Sequence, residues 1–106
     1  MKINAVAMIA GASLMALGVT SAAVAADGAE LYKAKACFSC HGADAKTPIM
    51  PLYPKLAGQN AQYALNQMLD IKSGKRANGQ SAVMKGIVAG VSDDDLKAIA
   101  EWLSTL

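Results

Sequence analysis

Cys37-Phe38-Ser39-Cys40-His41 places two thiols two residues apart, with an imidazole directly behind them. The pattern Cys-x-x-Cys-His reads as a covalent c-type haem attachment site. On a short helical turn, each of the two sulfurs can form a thioether to one vinyl group of the same porphyrin. The histidine that follows is then held under the ring, where a ring nitrogen can bind the iron as the proximal axial ligand. Other readings of a Cys-x-x-Cys pair fit less well. Zinc needs about four ligands, and the chain has two cysteines and one histidine in total. A thioredoxin-like pair expects a βαβ setting, and no β-rich run supplies one. A structural disulfide gives no reason for the adjacent histidine.

Outward from the motif toward the N-terminus, residues 3–26 carry no charge. They follow Lys2, are rich in Ala, Gly and Met, and end in Ala22-Ala23-Val24-Ala25-Ala26 before Asp27. A positive start, an apolar run and small residues at the junction predict a signal peptide, 1–26, cleaved after Ala26. A run this long could also span a bilayer, but its small-residue content and ending favour cleavage. That predicts an exported, periplasmic protein, where oxidised thiol chemistry belongs, and no stable membrane insertion once the leader is gone. Residues 27–106 then form a single domain. A domain of that size buries only about 60% of its unfolded surface, and a haem wrapped by apolar side chains would reinforce its core. Without Lys2, nine basic side chains face eight acidic ones, a net of +1. So even a balance argues against nucleic acid as a partner.

Residues 27–36 read as a first helix, with Asp27 as its cap, Leu31 and Tyr32 inward and Lys33 and Lys35 outward. Residues 43–58 hold Pro48, Pro51 and Pro54 without a helical period, which makes them an ordered loop. Its apolar members Ile49, Met50, Leu52, Tyr53 and Leu56 are expected to pack on the proximal face of the haem. Residues 60–73 predict an amphipathic helix capped by Asn60 and closed by Gly74, with Leu65, Met68, Leu69 and Lys72 along one stripe and Ile71 flanking it. Residues 74–80 are a polar turn. Val83-Met84 and Ile87-Val88-Ala89 form a short apolar stretch interrupted by Gly86. The last helix starts at Ser92, with Asp95 at the third position of a capping box. Its stripe is Leu96, Ile99, Ala100 and Leu103, with Trp102 beside it. Asp93-Asp94-Asp95 is best explained by the helix dipole, which favours carboxylates at an N-terminus. The domain is therefore all-α.

A single histidine excludes bis-histidine ligation within one chain. The other face of the iron is left to methionine, lysine, solvent or a diatomic molecule, and a thioether ligand suits electron transfer by raising the potential. Three methionines follow the leader. Met68 belongs to a helix stripe and is most simply core packing. Met50 follows Cys40 by ten residues, on the loop that covers the proximal face. Met84 lies 43 positions beyond His41, far enough for the chain to round the haem edge. Met84 is accordingly the predicted sixth ligand.

Over residues 27–106 the chain resembles the class I c-type cytochromes, in particular small bacterial periplasmic monohaem proteins and single domains of their dihaem relatives. Pro54-Lys55-Leu56-Ala57-Gly58 is similar to that family's Pro-x-Leu-x-Gly segment, whose proline carbonyl accepts a hydrogen bond from the haem histidine. The resemblance thus gives Pro54 the task of orienting His41. Tyr63 through Arg76, with Met84 after it, is similar to the family's middle helix, turn and methionine loop. The terminal helix resembles one whose aromatic residue crosses a first-helix glycine, which implies contact of Gly28 with Trp102. The implied fold has three main helices and short helical turns around one covalent haem c. The implied function is transfer of single electrons, without catalysis, between a membrane-bound donor complex and a terminal oxidase or reductase. The same residues would serve a cytochrome subunit of a larger oxidoreductase. A haem enzyme or sensor with a labile sixth ligand fits less well, since no second histidine is present for distal acid–base work. Lys35, Lys46, Lys55 and Lys85 lie in or beside segments expected near the haem edge, where they could steer an acidic partner.

Overall fold

The computed structural model describes residues 27–106; the leader expected at 1–26 lies outside the described residues. Five helices follow in order: α1 Gly28–Ala34, α2 Phe38–His41, α3 Ala61–Ser73, α4 Ser81–Val88 and α5 Asp93–Ser104. Among the described residues there is no strand, and no helix long and apolar enough to cross a membrane. The starts of α1, α3 and α5 are fixed as the sequence predicts. Asp27 Oδ1 accepts from the Ala29 N–H at 2.9 Å, Asn60 Oδ1 from Tyr63 at 2.9 Å and Ser92 Oγ from Asp95 at 3.1 Å. Each satisfies a donor that the first helical turn leaves open.

Helix α1 ends two residues short of the predicted limit because the chain turns sharply there. Ala36 takes a left-handed φ of 62°. The Ala36 N–H bonds the Lys33 carbonyl and the Cys37 N–H bonds the Tyr32 carbonyl, both at 3.0 Å. This is a Schellman closure with alanine where glycine is usual. It reverses the chain and delivers Cys37 to the start of α2.

α5 is the hub on which α1 and α3 pack, and α4 rests on α3. Tyr32, Ile71, Leu96, Ile99 and Leu103 are fully buried between them. The α1–α5 crossing is as close as the sequence implied: a methyl group on Gly28 would lie 2.5 Å from Trp102 Cβ and strike the Ala98 carbonyl. One turn on, the Tyr32 and Trp102 rings meet at 5.1 Å, tilted by 51°. Gly28→Ala should therefore overpack the crossing and lose about 1–3 kcal/mol. Thermal unfolding should then show Tm lower by about 4–8 °C for each kcal/mol. An unchanged Tm would mean that the two helices separate freely.

Three details differ from the sequence reading. The inward face of α3 is Ala64, Met68 and Ile71, while Leu65 and Leu69 are only half-buried. The stretch around Gly86 is the regular helix α4, since one internal glycine weakens a helix by only about 1 kcal/mol. In the loop of residues 43–58, Tyr53 and Leu56 turn inward as expected. Ile49 and Met50 stay exposed, at 63% and 42%, and Leu52, 58% exposed, borders the cavity described below.

Candidate functional site

The motif sits on α2, immediately after the α1 turn. Cys37 and Cys40 are free thiols, both half-buried. Burial, before any neighbouring charge, pushes the Cys37 thiol up. His41 ends α2 and is 7% exposed. Its Nδ1 lies 2.9 Å from the Pro54 carbonyl oxygen. A carbonyl can only accept, so Nδ1 carries the proton and Nε2 keeps its lone pair free. Pro54 has no N–H to compete, and its fixed φ holds the loop carbonyl at that point.

The loop that presents Pro54 is tied down by its backbone. Gly42, with φ of 90°, has its Cα against the Thr47 carbonyl, where no side chain would fit. The Asp44 carboxylate accepts from the Lys46 and Thr47 N–H groups at 2.8 and 2.9 Å. These bonds hold it below the usual carboxylate range. The Ala45 carbonyl accepts from Leu56 and Ala57. Tyr32 adds a tie that the sequence did not reveal: its buried hydroxyl donates to the Gly42 carbonyl at 2.5 Å. Burial, then the neighbouring Cys37 and Asp44, push that hydroxyl up to about 12, so it remains a donor at neutral pH.

These elements surround a cavity of about 460 Å³, in the size range of cofactor pockets. Cys37, Cys40 and His41 line one side and Met84 lines it from α4. Met68 also reaches the wall, whereas Met50 does not. Ile71, Val88, Leu96 and Leu103 give an apolar interior, and Lys55 and Arg76 are the charged members of the lining. Arg76 Nη1 donates to Gln67 Oε1 at 3.1 Å. The residues fit a haem c. The cavity offers two thiols, an imidazole with a free lone pair, a thioether, apolar walls for the macrocycle and two cations for its carboxylates. Gln67 and Arg76 were not among the predicted site residues, because their segment reads simply as a polar turn and the helix before it. Of the four lysines singled out above, only Lys55 lines the cavity.

Charge is segregated along the chain. From Lys33 to Gly90 there are eight basic side chains and two acidic ones. Residues 27–32 and 91–106, which form the start of α1 and all of α5, hold six acidic side chains and one basic. The net charge of +1 over residues 27–106 therefore conceals two stretches of opposite sign.

The family model described as Cytochrome c matches residues 25–106. Cytochrome c4 of Pseudomonas aeruginosa is 46% identical over 94 residues, covering 87% of this chain and 45% of that protein. The thiosulfate dehydrogenase electron acceptor of Stutzerimonas stutzeri is 37% identical over 102 residues, covering 90% of this chain and 46% of that protein. Cytochrome c-553 of Nitratidesulfovibrio vulgaris is 40% identical over 92 residues, covering 87% of each chain. The chain spans about half the length of the first two of these relatives and most of the length of the third.

Proposed function

The chain belongs to the cytochrome c family, and on that premise we propose that it carries single electrons between redox proteins and is not an enzyme. Its fold is the all-helical class I fold, and membership implies one covalently attached haem c. When bound, the haem supplies a reversible one-electron iron couple. In this reading the Cys37 and Cys40 sulfurs would attach it, and His41 Nε2 and the Met84 sulfur would ligate its iron. Pro54 fixes the His41 tautomer and strengthens it as a donor. The observation that carries the reading is convergence: Cys37, Cys40, His41 and Met84 all line one apolar cavity. With His41 and Met84 both serving as ligands, the iron would have no open position for a substrate. The domain would begin at Asp27 after cleavage of the leader, and would act in the periplasm between a donor complex or dehydrogenase and a terminal oxidase or reductase.

A second arrangement has a specific observation behind it. Two relatives are about twice as long as this chain, so such a unit also occurs as part of larger proteins. A cytochrome subunit of a larger oxidoreductase would use the same residues, and the native mass of the exported protein distinguishes it from a free carrier.

The test is a potentiometric titration of the purified holoprotein, followed by carbon monoxide. The expected result is a single one-electron wave, with no uptake of carbon monoxide by the reduced protein at neutral pH. Rapid uptake would point instead to an open sixth site and ligand chemistry. The charge segregation adds an expectation about docking. If the basic region meets an acidic partner, the second-order rate of electron transfer should fall as salt shortens the Debye length from about 30 Å at 0.01 M to 3 Å at 1 M. A rate indifferent to salt would favour docking through the exposed apolar side chains Val83 and Ile87, which border the cavity.

A further inference from the structure

Met84 is carried on a helix with little burial of its own. In α4, Ala82, Val83, Lys85, Gly86 and Ile87 are exposed, and only Ser81 and Val88 are buried. Gln80 gives its first turn no side-chain cap, unlike Asp27, Asn60 and Ser92 in the longer-capped helices. Gly86 in its middle weakens it further. A helix held this lightly needs an anchor outside itself.

The joint behind it has one. Lys72, in the last turn of α3, donates from Nζ to the Val91 carbonyl at 2.6 Å and to Asp93 Oδ1 at 2.9 Å. The Lys72–Asp93 pair is the only salt bridge among the described residues. Val91 is buried, and its N–H bonds the Val88 carbonyl at 3.0 Å. The bracket thus closes on the last residue of α4. Helix electrostatics alone does not explain it. A cation beside the first turn of α5 opposes that helix's dipole, and the Asp93 carboxylate offsets it there. The lysine side chain is 28% exposed and that of Asp93 71%, so the ion pair is screened by solvent, whereas the bond to the Val91 carbonyl is partly buried and screened less.

We infer that Lys72 is a positioning residue for the sixth ligand: by bracketing Val91 and Asp93 onto α3, it holds α4 in place and keeps the Met84 thioether at the cavity wall. The inference rests on the reading of Met84 as an axial ligand. Loss of the bracket should leave the domain folded while the sulfur leaves its site more often.

The experiment uses the ferric holoprotein with imidazole as the probe, since imidazole enters only when a bound sulfur departs. Carbon monoxide is first offered to the reduced wild-type protein. Immediate uptake would overturn the Met84 reading and this inference with it. With a closed wild type, Lys72→Leu should raise the imidazole association rate about tenfold, the scale of a lost hydrogen bond to a charged group. Lys72→Arg should return the rate toward wild type. Asp93→Asn, which leaves the Val91 bond in place, should shift it in the same direction by less, and serves alone if Lys72→Leu does not accumulate. Gly28→Ala, at the α1–α5 crossing and outside the cavity wall, is the control for general destabilisation. A wild-type rate in both bracket variants would overturn the inference. So would a Gly28→Ala rate raised as far as that of Lys72→Leu for a comparable loss of Tm.

Discussion

Replacing Met84 with alanine should open one face of the iron without unfolding the domain. The reduced variant is expected to bind carbon monoxide, and its potential should fall by a sizeable part of the roughly 0.8 V that axial ligation spans. The fall follows from removing a thioether, which favours the reduced iron. Two companion variants make the expectation specific. Met68, also at the cavity wall, is buried on the inner face of α3. Met68→Ala should cost about 2–5 kcal/mol of stability, yet keep the spectrum. Met50 is 42% exposed and outside the cavity wall, so Met50→Ala should change neither property. Carbon monoxide binding by the Met68 variant and not by the Met84 variant would move the ligand from α4 to α3.

Replacing Cys37 and Cys40 together should have the other large effect. With both thiols gone, no haem should remain on the chain after denaturation and extraction with acidic acetone. The consequence for folding should be equally severe. The described domain has 80 residues, a size that buries only about 60% of its unfolded surface. Its helices face a cavity of about 460 Å³ with apolar walls. An empty space of that size would leave Ile71, Val88, Leu96 and Leu103 packed on their protein side alone, and unfilled volume is costly. The double variant should therefore show weak helical circular dichroism and a broad thermal transition. Haem still attached after extraction would refute the assigned roles of both cysteines.

Much of this was legible in the chain because the signals were local. Asp27, Asn60 and Ser92 are capping residues whose partners lie two or three positions away, so their geometry is written in the sequence. The α5 stripe of Leu96, Ile99, Ala100 and Leu103 has the helical period and is buried as predicted. The haem motif is a contiguous pentapeptide. What stayed hidden depends on distant neighbours. In α3 Met68 and Ile71 are buried, while Leu65 and Leu69, which outweigh Ala64 in hydrophobicity, pack half-buried at the edge of the core. Ala64 nevertheless faces the cavity, because a small residue fits there. Ile49 is apolar too, yet it lies outside the cavity wall and 63% exposed, whereas Leu52, also exposed, borders the cavity. The Lys72 bracket joins residues 19 and 21 positions apart, and no local pattern marks a lysine as an anchor.

The crossing of Gly28 with Trp102 also sets an order of assembly. Its two sides come from nearly opposite ends of the described chain, so the contact closes the longest loop the domain contains, and closing a long loop is entropically slow. As the chain emerges N-terminus first, α1 and Cys37–His41 appear while α5 is still to come. During that interval Tyr32 has no Trp102 to stack on, and the two thiols stand on an open, nascent strand of polypeptide. Attachment chemistry can reach them before closure, and the terminal helix then seals the pocket behind it.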